Sequence, residues 1–202
     1  MAPKRLEAEA LRDAMLAVSE TLNLEAGGPG FKPYIPPEAN LARNIKGEPY
    51  PKNPPDDATT RRRSVYMFHK RLIPYPMLQA FDRPDLMTSC DRRQNTTVAP
   101  QAMVILNDRF VRAVSRDYAK RLLEKHTGQA LSEEESLRSL AAAAFEISFA
   151  RPANEREIAL SAEYIASQTK SRTERGDEDA RLEAVADFCQ AIFGSNEFIY
   201  VD

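Results

Sequence analysis

The side chains best suited to chemistry lie between residues 82 and 101. Asp82 stands in Phe81-Asp82-Arg83-Pro84, and a general base at that position would need a partner and a shifted pKa. An Asp two residues before Pro also starts a turn through its own side chain, which is the bland reading of the same residue. Cys90 lies in Ser89-Cys90-Asp91-Arg92-Arg93, where neighbouring cations would lower a thiol pKa and favour reactivity or a disulfide. Arg93, Thr97 and Gln101 could bind an anion or a sugar near a helix N-terminus, where N–H groups point outward. They could equally tie a long loop to that helix through backbone hydrogen bonds.

Other chemistries lack their residues. The two histidines, His69 and His126, are far apart, and Cys90 and Cys189 form neither a zinc spacing nor a haem-attachment motif, so no metal or cofactor is expected. Sequence cannot test whether the two cysteines pair. Basic groups at Arg61–Arg63, Lys70–Arg71 and Arg109/Arg112/Arg116 could meet phosphates or sulfated glycans. No helix-turn-helix, zinc finger or stacking platform accompanies them, so a nucleic-acid partner is not expected. Asn107 is expected to cap a helix junction. The candidate binding residues are therefore Arg63, Lys70, Arg71, Asp82, Arg93, Thr97, Gln101 and Asn107.

The elements that must position these residues read as helices. With 202 residues, 43% hydrophobic and 29% charged, the chain has an ordinary globular composition and length for one domain with a core. No apolar run is long enough for a membrane span, and the N-terminus has no apolar stretch of the signal-peptide kind. Leu11, Met15, Val18 and Leu22, with Ala10 and Ala14, predict a first helix within residues 1–26. Eight prolines in 29–60 predict an extended loop, over 27–60, that Tyr34, Ile35 and Tyr50 could pin down. A helix over Arg61 to Leu72 would bury Val65, Phe68 and Leu72, although Val65-Tyr66-Met67-Phe68 also fits a short strand.

After at most two turns from Met77 to Phe81 and a polar loop, Thr97 is expected to cap a helix with Ala102, Ile105 and Leu106 inward. Asp108 to Lys125 should follow, with Val111, Val114, Tyr118 and Leu122 buried and Arg109, Arg112, Arg116 and Lys120 on the opposite side. Capping boxes at Ser132-x-x-Glu135 and Asn154-x-x-Glu157 open two more helices. A charged loop from Ser171 to Asp179 precedes the last helix, which Gly194 caps. The expectation is one all-α domain over 1–202, an irregular bundle of about six helices, with a basic motif region at 61–131 and a three-helix part at 132–202.

Net charge is only −2, yet its distribution is uneven. Residues 61–131 hold 14 Lys/Arg against 6 Asp/Glu, and residues 132–202 hold 7 against 15. Such asymmetry marks a binding surface, or two parts of one fold docking through complementary charge.

The segments RRRSVYMFHKRLIPYPMLQAFDRPD and CDRRQNTTVAPQAMVILND, with the opening RLEAEALRDAMLAVS and the ending DFCQAIFGSNEFIYVD, resemble a family pattern. It is the C-terminal domain of unknown function (DUF1553) of planctomycete cytochrome-associated proteins. The resemblance implies a C-terminal piece of a larger exported protein, periplasmic or extracellular, with upstream domains as partners. It implies no established activity. The chain lacks the C-x-x-C-H of a cytochrome, so haem binding does not carry over, and it has Arg109 where relatives often have proline. From these readings the expected function is a noncatalytic interaction module that packs on partner domains or binds an anionic polysaccharide. The alternative is a hydrolase-like site around Asp82, Cys90 and Arg93.

Overall fold

A computed structural model of the chain describes residues 4–38, 50–126 and 132–201. Regular structure is overwhelmingly helical, with two two-residue strands, Lys4–Arg5 (β1) and Tyr200–Val201 (β2). The helices among the described residues are α1 (Ala8–Val18), α2 (Pro76–Ala80), α3 (Ala99–Asn107), α4 (Arg109–His126), α5 (Glu133–Phe149), α6 (Glu155–Glu174), α7 (Ala180–Phe193) and α8 (Asn196–Ile199). Backbone contacts divide the chain into two compact units. One comprises Met1–Lys4, Val18–Glu20 and Ile105–Asp202, and the other Arg5–Ala17 and Thr21–Val104.

The first of these units is a helical bundle, and the sequence pattern forms it as expected. Val111, Val114, Tyr118 and Leu122 are fully buried on α4, which packs against α7, where Ala184, Val185, Cys189 and Phe193 are buried. Tyr118 stacks on Phe193 at 5.9 Å between ring centroids, and its hydroxyl donates to the Ala144 carbonyl of α5 at 3.0 Å. Both capping boxes are formed: Ser132 accepts from the Glu135 N–H, and Asn154 from the Glu157 N–H. Ala150 closes α5 in the left-handed conformation (φ 53°), just before Pro152.

Charge fastens the same helices. Arg112 of α4 contacts Glu183 and, at 2.6 Å, Asp187 on α7. Arg116 reaches Glu183 at 2.7 Å, and Arg172 of α6 takes the other Asp187 oxygen. Within this unit, then, the basic side of α4 docks against acids of α7.

The second unit is loop-rich. α1 buries Ala8, Leu11, Arg12, Met15 and Leu16, and α2 buries Met77 and Leu78. Residues 21–36 and 50–75 form no α-helix, and residues 39–49 of the expected 27–60 loop lie outside the described residues. Tyr50 and Ile35 are buried as expected, and Tyr34 is half-buried.

Several expectations are corrected. α1 ends at Val18 rather than near Leu22, and Ala10 is exposed. The predicted 61–72 helix is absent: only a 3-10 turn, Ser64–Tyr66, forms there. Phe31 donates to the Tyr66 carbonyl and Phe68 to the Phe31 carbonyl, so this stretch pairs as an extended segment. The buried side chains are Arg62, Ser64, Met67 and Ile73, whereas Val65, Phe68 and Leu72 are exposed. The short-strand alternative does not form either: the contact with Phe31 is one isolated parallel bridge at Met67, beside the Ser64–Tyr66 turn.

α3 starts at Ala99 and buries Ile105 with Gln101, leaving Ala102 and Leu106 exposed. The α3–α4 junction is capped by Asp108, whose carboxylate accepts from the Phe110 N–H at 2.8 Å, and Asn107 is the last residue of α3. α6 continues through Ser171 to Glu174, so the expected charged loop is shorter. Cys90 is exposed and Cys189 buried, and both are unpaired thiols.

Candidate functional site

The loop-rich unit contains the polar motif, and its geometry starts at Asp82. Asp82 adopts φ 59°, a left-handed conformation that an Asp tolerates better than most side chains. It follows α2 directly, where Arg83 N–H donates to the Leu78 carbonyl and terminates the helix. The Asp82 carboxylate accepts from the Arg5 guanidinium at 2.7 Å, the Thr96 N–H at 2.7 Å and the Thr96 hydroxyl at 2.8 Å. Burial works to raise its pKa, but these donors outweigh it and hold the carboxyl below its ordinary value.

Arg5 is itself buried and also donates to the carbonyls of Phe81 and Thr96, with its guanidinium over the Phe81 ring. Gln101 extends the knot. Its amide donates to the carbonyls of Ala80 at 3.0 Å and Thr96 at 2.9 Å. Asp82, Thr96 and Gln101 therefore fasten the polar loop to α2 and the start of α3.

Arg93 lies in a different environment. It meets Glu9 of α1 at 2.6 Å and Glu7 at 3.3 Å, and Arg83 approaches Glu9 at 3.7 Å. Burial raises the Glu9 pKa, and the Arg93 hydrogen bond, with the charges of Arg93 and Arg83, lowers it further than burial raises it. His69 adjoins this group. Burial, reinforced by the charge of Arg83 and opposed by Glu9, pushes its pKa down to about 4, and its Nδ1 is buried without a hydrogen-bond partner. Thr97 is exposed, and the Cys90 thiol donates to the Arg92 carbonyl at 3.1 Å.

The remaining candidates lie along residues 63–71. Arg63 is exposed, with its Nε 3.7 Å from Asp13. The Lys70 ammonium sits 5.3 Å from the centroid of the Tyr50 ring, whose hydroxyl accepts from the Lys70 N–H at 3.0 Å. Arg71 is exposed at the turn that the Lys70–Ile73 bridge closes. The neighbouring Arg62 is buried and donates to the carbonyls of Glu25, Gly27 and Pro29. No group of three or more His, Cys, Asp or Glu able to hold a metal occurs among the described residues.

Arg5, Glu9 and Thr96 were absent from the sequence-derived candidates. Arg5 and Glu9 precede or open a helix and carry no motif of their own. Thr96 differs from Thr97 only in which of the two neighbouring hydroxyls faces Asp82.

Two outcomes test this reading. Arg5→Ala should lower stability by about 3 kcal/mol, because it strips the partly buried Asp82 carboxylate of its counter-ion and the Phe81 carbonyl of its side-chain donor, whereas Arg92→Ala on the exposed loop should stay within about 0.5 kcal/mol. Urea unfolding measures both. His69 stays neutral in the fold while the unfolded chain takes up a proton near pH 6.5. Its contribution is thus complete above pH 6.5 and is lost as pH falls towards about 4. A His69→Gln variant should show a shallower loss of urea midpoint across that window, and an unchanged slope would contradict the assignment.

Comparison with known proteins places these motifs. The family model PSD1, described as protein of unknown function (DUF1553), matches residues 1–165. That span includes the opening helix, the 61–85 segment and the 90–108 segment, and stops short of the 187–202 ending. No curated protein and no solved structure matches the chain. The knot at Asp82 and the Glu9–Arg93 pair lie wholly within the matched span, and the chain belongs to the PSD1 family of proteins of unknown function (DUF1553).

Proposed function

We propose that the chain is a noncatalytic interaction module of an exported protein, which packs on partner domains or holds an anionic polysaccharide through its exposed cations. The supporting observation is how its polar side chains are used. Asp82, Gln101 and Thr96 hold the chain's own backbone, and Arg93 is taken by Glu7 and Glu9. Arg112 and Arg116, which gave the sequence its strongest basic stripe, are ion-paired to α7. Among the named candidates, Arg63 and Arg71 present exposed cations, and they lie close together in the chain.

The family resemblance adds context to this reading. It points to a planctomycete-type exported protein in which this module follows upstream, cytochrome-associated domains, with a periplasmic or extracellular location. No helix among the described residues is long and apolar enough to cross a membrane. In the hydrolase alternative, Asp82, Cys90 and Arg93 would converge. Their partners differ: Arg5 and Thr96 for Asp82, the Arg92 carbonyl for Cys90, Glu7 and Glu9 for Arg93.

Retention on immobilised heparin tests the proposal. The chain should bind at low salt and elute at moderate salt, since charge contacts at a surface are screened, and Arg63→Glu with Arg71→Glu should abolish retention. No retention, together with no binding to the family's upstream domains supplied as a separate protein, would overturn it.

A further inference from the structure

The surface that carries Arg63 and Arg71 is not simply basic. Val65 is 72% exposed, Leu72 44% and Phe68 40%, all on the same ten-residue stretch. Scattered single apolar side chains on a surface need no explanation, but three on one short segment, bracketed by cations, form a patch. The alternation has a cause. Arg62, Ser64, Met67 and Ile73 face inward, which leaves Arg63, Val65, Phe68, Arg71 and Leu72 on the solvent side.

This segment is held firmly from beneath. The Phe31 N–H donates to the Tyr66 carbonyl at 3.0 Å, and the Phe68 N–H donates to the Phe31 carbonyl at 2.8 Å. Gly30 lies so close under it that a Cβ there would stand 2.9 Å from the Tyr66 carbonyl oxygen. Ser64 is fixed by Asp13, which accepts from its N–H and its hydroxyl at 2.7 Å. Two further cations border Phe68: Lys32, 5.7 Å from its ring centroid, and Lys70 over the adjoining Tyr50 ring. A surface already ordered in this way loses little conformational freedom when it binds.

We infer that the solvent side of residues 63–72 is a docking ridge for an acidic, amphipathic peptide segment of a partner protein. The inference rests on the interaction-module reading and names its partner. Charge complementarity sets the sign, because the exposed Arg63 and Arg71 flank the apolar side chains along the chain, with Asp13 beside Arg63 and Lys32 at the Phe68 ring. The apolar side chains decide between partner classes. A sulfated glycan has no use for Val65 and Leu72, whereas a peptide that alternates acidic and apolar residues covers both kinds of group. Nine residues of chain reach at most about 30 Å, so a peptide of about that length suffices.

The test uses the full chain and a fluorescent peptide of about nine residues alternating Glu with Leu and Phe, compared with immobilised heparin. The peptide should bind, and Val65→Ser with Leu72→Ser should weaken it roughly tenfold or more. Both side chains are exposed, so this variant should keep its melting temperature, and Phe68→Ser serves as an independent second variant. Arg63→Glu with Arg71→Glu should abolish peptide binding and heparin retention alike. Heparin retention without peptide binding, or peptide binding indifferent to the serine variants, overturns the ridge and leaves the polysaccharide partner standing. Binding to neither probe removes the ridge, and with no upstream-domain binding the broader proposal falls too.

Discussion

The loop-rich unit depends on a single physical requirement: its irregular backbone must have its carbonyl groups satisfied without helix or sheet ladders. Three buried arginines meet it. Arg5 donates to the carbonyls of Thr96 and Phe81, Arg12 to those of Arg62 and Thr60, and Arg62 to those of Glu25, Gly27 and Pro29. Each guanidinium also lies over an aromatic ring, Phe81, Phe31 and Tyr66 respectively, between 4.1 and 5.6 Å from the centroid. The planar fork, with five donors and a face that stacks, suits this task in a way an ammonium does not. Hydrogen bonds from charged donors contribute about 1.5–3 kcal/mol each when buried. A few such side chains can therefore replace a missing sheet.

The same requirement explains why the polar motif is architecture. Asp82 is the counter-ion that makes burial of Arg5 tolerable, since a buried charge without a partner is severely unfavourable. Thr96 then adds two more donors to the Asp82 carboxylate, and Gln101 a second donor to the Thr96 carbonyl. A loop fastened in this way can present a neighbouring segment with fixed geometry. In the helical unit the problem is solved differently, by apolar stripes and by Arg112 and Arg116 meeting the acids of α7. The opposite charges of the two sequence halves thus reflect, in part, helix docking within one unit.

Much of the helical unit was legible in the sequence, because capping boxes and apolar stripes act locally. Ser132, Asn154 and the Val111–Leu122 stripe read directly into structure. The region before residue 75 was less legible because its order comes from contacts far apart in the chain. Val65, Phe68 and Leu72 have helical spacing, yet backbone pairing with Phe31 turns them outward. Arg12 did leave a signal: it sits between Leu11 and Met15 on the buried stripe of α1, where a charged residue needs a partner. Its partners, Thr60, Arg62 and Ser64, lie about fifty residues away, and no local pattern names them. Of the network around Asp82, the sequence named Asp82 and Gln101 but neither Arg5 nor Thr96 as members.

The most direct measurement of this account is the unfolding free energy of Arg12→Lys by urea titration. Charge is preserved, and only the fork that spans the Thr60 and Arg62 carbonyls and the Ser64 hydroxyl is lost. A loss of about 2–3 kcal/mol, with weakened hydrogen-exchange protection over residues 60–68, is the expected result. A variant as stable as the parent would contradict the claim that buried guanidinium groups hold this unit together.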